Sequence, residues 1–230
     1  MNHMKLFIGS QQRNAIQKVI TVGLLVVILI QFFAVSLHAA TSTTRDPNSP
    51  YCKPTVLTAL KLAAKEGNNA ARSELGLLLL HGHCIKQDVE AGLSHLITAS
   101  KDGHTASALI LGELYANNAF PLFNPSFARQ YFLVAAKNGS AQAQHKLGLM
   151  LLRGEGGGIV VETGLYWLTT AASQGDAFSA VVLGMLHQRG YFGVPKNICL
   201  AGDWYEAGLL MGASMAHDLL EKISKSTDCF

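Results

Sequence analysis

The chain has 230 residues, 49% of them apolar and 14% charged, and a formal net charge of +3. That apolar content is too high for a disordered chain. The charge excess lies in Lys5, Arg13 and Lys18; the remaining 15 basic and 15 acidic side chains balance, and a neutral body with no basic stripe excludes nucleic acid as a partner.

Those three basic residues precede any acidic one, and the apolar run VITVGLLVVILIQFFAV follows from Val19 to Val35. A basic start ahead of an apolar run marks an export segment. Residues 1–39 read as a signal peptide with Ala39 as the small side chain at the cut, and the length of the run keeps an uncleaved inner-membrane anchor as the alternative. In both readings the basic end stays in the cytoplasm and the rest is delivered across the membrane, to a periplasmic or secreted, oxidising location. Membrane contact is then expected through this segment alone, if it is not cut. Residues 40–52 are polar, with prolines at 47 and 50, and read as a flexible linker.

From residue 53 to 230 the chain reads as one periodic domain. Gly67, Gly103, Gly139 and Gly175 stand 36 residues apart, and Gly76, Gly112, Gly148 and Gly184 repeat the interval. Such a period points to a helical solenoid whose units cannot bury their apolar faces alone. Each unit reads as a first helix carrying a Leu-Gly pair, a short loop, and a second helix that ends at a glycine of the first series, where glycine supplies the left-handed cap. The pattern predicts helices near 55–66, 70–82, 88–101, 104–116, 125–138, 140–153, 161–174, 176–189, 198–210 and 213–225, with all but the first pairing as hairpins. A glycine inside a helix costs about 1 kcal/mol relative to alanine. Its recurrence at one phase therefore points to close helix approach, with the alanine pairs at 63–64, 135–136 and 171–172 doing the same from the other side. Asn68 and Asp176, each following a capping glycine, suit helix N-caps.

The string AASQGDAFSAVVLGMLHQRG (171–190), the GVPKN before the next helix and the Trp204-Tyr205 pair within it resemble the Sel1-like repeat, a relative of the tetratricopeptide repeat. The likeness runs from about Lys53 to Lys225. It implies an all-α, right-handed α/α solenoid of about four to five helix-pair repeats. It also implies first helices lining a concave face, an adaptor role toward other proteins, and no shared active site. The second unit departs from the pattern, with NNAFPLFNPS (117–126) in place of the usual glycine.

The four cysteines fall in register with these repeats. Cys84 lies eight residues after Gly76, and Cys229 eight after Glu221, the equivalent position once a one-residue drift in the last unit is allowed. Cys52 and Cys199 each begin a second-type helix, antiparallel to the first-type helix that follows. The topology therefore predicts Cys52–Cys84 and Cys199–Cys229 among three possible connectivities, as clips on the end units. Closing loops of this length is worth roughly 3–4 kcal/mol each on the chain-entropy model. The competing use is a metal site from His81, His83 and Cys84, which lacks a fourth ligand and needs a reduced thiol.

No G-x-S-x-G, H-E-x-x-H or Walker-type loop is present. The glycine-rich RGEGGGIV (153–160) lacks the following Lys-Ser/Thr and reads as an inter-helix loop. Trp167 and Trp204 recur at one phase, as packing residues do. No catalytic residue, cofactor or metal is expected. Two candidate partner surfaces remain: the loop aromatics Phe120, Phe123, Tyr191 and Phe192, and polar residues of the first helices, among them Glu74, His145, Arg153 and Arg189. The reading is an exported, non-catalytic protein–protein interaction scaffold of the cell envelope, with one or more envelope or secreted proteins as partners. Its alternatives within that class are an immunity-type inhibitor of a secreted toxin or lipase, and a flagellar-motor or secretion-system accessory. A different class is implied by cysteine-rich Sel1-like proteins that bind or hydrolyse β-lactams, against which no serine here stands in an S-x-x-K pair.

Overall fold

The computed structural model describes residues 52–224; residues 1–39, expected to be an export segment, most of the expected linker 40–52 and Cys229 lie outside the described residues. Among the described residues there are ten α-helices and no strand. They are α1 (Pro54–Lys65), α2 (Asn69–His81), α3 (Val89–Lys101), α4 (Thr105–Ala116), α5 (Pro125–Lys137), α6 (Ala141–Arg153), α7 (Val161–Ser173), α8 (Ala177–Arg189), α9 (Ile198–Leu210) and α10 (Met215–Ser224). Each lies within two residues of the range read from the repeat.

The described residues fall into two compact units, 52–57 with 83–86 and 58–82 with 87–224. The smaller unit holds the predicted disulfide between Cys52 and Cys84, with Cα atoms 4.8 Å apart. No described cysteine is free. The Cys199–Cys229 expectation ends at a residue outside the described ones.

In the larger unit each helix from α2 to α9 packs on the next in sequence, most extensively within the pairs α2/α3, α4/α5, α6/α7 and α8/α9. Those pairs close around the glycines of the second series. A Cβ added at Gly76 would lie 2.9 Å from the Gly92 carbonyl oxygen, and one at Gly92 would lie 2.9 Å from Leu80 Cγ. Gly148 and Gly164 face each other in the same way. At Gly112 and Gly184 a ring fills the notch instead: an added Cβ would lie 2.5 Å from Phe132 Cδ1 and 2.5 Å from Tyr205 Cε1. The filling residues, Leu96, Phe132, Leu168 and Tyr205, are all buried and recur at one phase, so leucine and ring alternate along the array. One turn earlier stand Gly92, Ala128, Gly164 and Ala201, and only the leucine units have glycine there. The Tyr205 hydroxyl donates to Gln188 Oε1 at 2.8 Å, and burial pushes its phenol up to about 12, against a smaller opposing pull from Arg189.

The alanine pairs pack on both sides, Ala172 for example with Leu152 of its own hairpin and Ala180 of the next unit. Ala135 and Ala136 share a buried cluster with Ala143 and Leu147 of the next first helix. At the equivalent phase of α9, a Cβ on Gly208 would lie 3.0 Å from Val181 Cγ2 of α8. The small residues at these phases therefore pack against the first helix of their own hairpin as well as that of the next unit.

Every hairpin is closed by one recurring backbone bond, in which the N-cap N–H of the second helix donates to a carbonyl of the first. The bonds are Asp88 to Leu79, Asn124 to Tyr115, Val160 to Leu151 and Asn197 to His187, at 2.8–3.0 Å. The second unit keeps this bond although it lacks the loop glycine. Gly82, Gly154 and Gly190 cap their helices in the left-handed conformation; Asn117 is extended instead, and α4 stops a residue short at Ala116. The extra residue of the last connection is taken up by a 3₁₀ turn at Tyr191–Gly193, with Phe192 at φ 54°.

Candidate functional site

An α-helix presents residues i, i+4, i+7 and i+11 on one face. On α2 these are Ala70, Glu74, Leu77 and His81; on α4, Ala106, Ile110 and Glu113; on α6, Gln142, Lys146, Leu149 and Arg153; on α8, Phe178, Val182, Met185 and Arg189. None is buried, whereas the opposite faces of these helices supply the core. The array thus leaves one face of its first helices incompletely covered, with Ile110, Leu149, Val182 and Met185 half-buried where they pack on the core. Glu74 and Glu113 stand at one end of it, and Lys146, Arg153 and Arg189 at the other. Lys146 Nζ lies 3.4 Å from Glu113 Oε1, which also accepts from Gln142 Nε2 at 2.9 Å. Glu74 is half-buried, and that burial raises its carboxyl above the usual range. Arg153 is exposed and pairs with Glu155 at 3.4 Å.

His145 turns toward the next unit. Its Nδ1 lies 2.8 Å from Ser179 Oγ and 3.2 Å from Asp176 Oδ2. Burial pushes the Asp176 carboxyl up, but hydrogen bonds from His145 and Ser179, with the His145 charge, outweigh it and hold the carboxyl below its ordinary value. Serine, histidine and carboxylate are the ingredients of a nucleophilic triad, in which the base takes the serine proton through one ring nitrogen and is oriented through the other. Here serine and aspartate address the same nitrogen, Ser179 Oγ donates to Asp176, and Ser179 is fully buried. No substrate reaches that hydroxyl. The cluster caps α8, with Asp176 accepting from the Ser179 backbone at 3.0 Å, and ties one unit to the next.

A second tie repeats two units apart. Arg72 donates to the Ala64 carbonyl at 3.1 Å and to Asp102; Gln144 donates to the Ala136 carbonyl at 3.1 Å and accepts from Gln174 at 2.6 Å.

Among the loop aromatics, Phe123, Tyr191 and Phe192 are exposed while Phe120 is half-buried. The rings of Tyr191 and Phe192 lie 6.5 Å apart. The glycine-rich loop lies against the preceding unit: a Cβ at Gly156 would meet the Pro125 carbonyl, and Arg129 donates to the Gly158 oxygen at 3.0 Å. Its backbone is thus committed to packing. Trp167 and Trp204 are half-buried and pack on the cores of the preceding pairs. Cys52, His83 and Cys84 bring sulfur and nitrogen atoms within 4.8 Å of one another, but both sulfurs are spent in the disulfide, which removes Cys84 from the HGHC ligand set. No helix among the described residues is long and apolar enough to cross a membrane.

The family model described as Sel1 repeat matches at residues 69–104, 106–140, 141–176 and 177–212, more than half of the chain. The chain belongs to the Sel1 repeat family. Sel1 repeats form a scaffold for protein–protein interaction. This Sel1 repeat protein is 32% identical over 123 residues to an exopolysaccharide production negative regulator of Rhizobium meliloti (strain 1021), covering 51% of the chain and 44% of the relative. Its fold matches c5321, a protective antigen of uropathogenic Escherichia coli, with a TM-score of 0.65 and 27% identity over 73% of the chain and 36% of that structure. A Sel1 repeat protein from Oxalobacter formigenes matches with a TM-score of 0.65 and 26% identity over 76% and 49%. The chain therefore spans less than half the length of each of these three proteins.

The incompletely covered face was within reach of the sequence, since its members recur at fixed phases of the Sel1 repeat. The His145–Ser179 contact was not. It joins residues 34 apart, and finding it requires the register between neighbouring first helices, which the period alone leaves open.

Proposed function

We propose that this protein is an exported, non-catalytic scaffold of the cell envelope that holds a partner protein on the incompletely covered face of α2, α4, α6 and α8. The observation that carries this reading is the composition of that face. Ile110, Leu149, Val182 and Met185 form an apolar strip set among charges. Apolar anchors bounded by polar groups are the anatomy of a protein interface. The passage from Glu74 and Glu113 to Lys146, Arg153 and Arg189 would orient an extended partner, because charge complementarity fixes register. Export is supported by the basic-then-apolar start and by the Cys52–Cys84 disulfide, which suits an oxidising compartment. The regulatory name of the Rhizobium meliloti relative favours action through binding.

Affinity capture of the tagged full-length protein from its own envelope, after mild crosslinking, tests the reading. The expected result is one stoichiometric protein from the wild type and its loss from the charge-reversed variant Glu74→Lys/Arg189→Glu. Equal recovery from both would remove this face as the contact.

A further inference from the structure

We infer that Cys52, His83 and Cys84 form a redox-gated site for one thiophilic metal ion, zinc(II) or copper(I), which fills when the disulfide between the two cysteines is reduced. The ligand set legible in the sequence, His81, His83 and Cys84, lacks a fourth member. The fold brings in Cys52 from 32 residues away. Cys52 Sγ, Cys84 Sγ and a ring nitrogen of His83 all lie within 4.8 Å of one another, and the three residues are half-buried. All three belong to the smaller compact unit, 52–57 with 83–86, so the ligand set is complete within it. His81 belongs to the larger unit and stands outside the cluster.

Clipping two segments together takes two sulfurs and has no use for a nitrogen donor. The imidazole is what the disulfide leaves unexplained. Side chains of adjacent residues ordinarily diverge. At Cys84 φ is 63°, in the left-handed region that residues other than glycine rarely enter, and there the turn keeps the imidazole of residue 83 and the sulfur of residue 84 near one point. Thiolate sulfur and imidazole nitrogen are donors for zinc and copper(I). The cluster contains no carboxylate, which sets it apart from calcium and magnesium sites. Zinc held by two cysteines and a histidine keeps its fourth position for water, and the half-buried setting leaves water a route to it.

Thiol–disulfide exchange is the gate. One thiolate of a dithiol reductant attacks a sulfur of the Cys52–Cys84 bond, that bond breaks, and the second thiol of the reductant closes its own disulfide. Two electrons and two protons pass to the protein, leaving both cysteines as thiols. The metal then displaces those protons to solvent and forms two bonds to sulfur and one to nitrogen, which with zinc(II) gives a neutral site. The same two segments are thus joined covalently in an oxidising compartment and through a metal in a reducing one. Nothing in this site depends on the partner-face reading.

The test uses full-length protein in detergent, carrying Cys199→Ser/Cys229→Ser so that the other two cysteines supply no sulfur. A phosphine opens the disulfide without adding a competing thiol and is removed under nitrogen. Bound metal is then read by competition with a chromophoric chelator, with zinc(II) and copper(I) in separate arms. The reduced protein should hold about one ion per chain of at least one of the two metals, and the oxidised protein none. Cobalt(II) in place of zinc should show thiolate-to-metal charge-transfer absorption. Cys52→Ser should abolish binding and His83→Ala should weaken it more than about tenfold, while His81→Ala leaves it unchanged, all at an unchanged helical spectrum. Failure of both metals to bind the reduced protein, equal binding by the oxidised protein, or indifference to His83→Ala overturns the site. A loss on His81→Ala that His83→Ala does not share overturns it as well.

Discussion

At Gly148 an added Cβ would lie 2.7 Å from Leu168 Cγ and 2.9 Å from the Gly164 carbonyl oxygen; at Gly139 it would meet nothing within 4 Å, yet φ there is 89°. The two glycine series share a residue type and a period, but one is constrained by the neighbouring helix and the other by its own backbone. The second series sets how closely two helices approach, and so positions the incompletely covered face. The first turns the chain between units at a φ that a side chain resists. Identical periodicity therefore hides two physical requirements, and substitutions separate them.

The widest contrast is expected at Gly148. Gly148→Ala drives a methyl group against a leucine and a backbone oxygen, and should cost about 2–3 kcal/mol in a thermal or denaturant melt. Adding Leu168→Ala should restore part of that loss, because the two residues share one space; independent additive losses would show that the notch does not govern packing. Gly139→Ala should cost about 1 kcal/mol from strain at positive φ, and Gly139→Asn less, since asparagine tolerates that conformation. Gly148→Asn should be at least as damaging as Gly148→Ala, and equal tolerance of asparagine at both sites would erase the distinction.

Smaller effects come from two carboxyls on or beside the first helices, which respond to pH in opposite senses. Asp176 is held below its ordinary value, so its contribution to stability is present above pH 3.8 and is lost as pH falls through the lowered value. Asp176→Asn should therefore destabilise at neutral pH and converge with the wild type in strong acid. Glu74 is raised by burial, so its charge opposes folding at neutral pH and ceases to do so below its ordinary value of 4.5. Glu74→Gln should stabilise slightly at pH 7 and have no effect below that value, with melts at both pH values as the check.

The ten helices were legible in the sequence because glycine punctuates each unit at two fixed phases. The Cys52–Cys84 pairing was legible because cysteines at the two ends of one repeat interval must meet. The alanine pairs were legible as small positions, but periodicity does not report that they face the next unit as well as their own hairpin. The alternation of Leu96, Phe132, Leu168 and Tyr205 is visible once the one-residue drift in the last unit is allowed, and it explains why only the leucine units carry Gly92 and Gly164. The difference in exposure between Phe120 and Phe123 follows from a loop path set by the Asn124-to-Tyr115 backbone bond, which side-chain patterns do not encode. The partner face was legible as a set of recurring phases, and burial adds how far each of its members packs on the core.

A photoreactive side chain placed in turn at Ile110, at Leu149 and at Thr169, which is exposed on α7, tests the central claim in the cell that makes the protein. The account predicts that Ile110 and Leu149 yield adducts with the same single protein and that Thr169 yields none. An adduct from Thr169, with Ile110 and Leu149 silent, would contradict it.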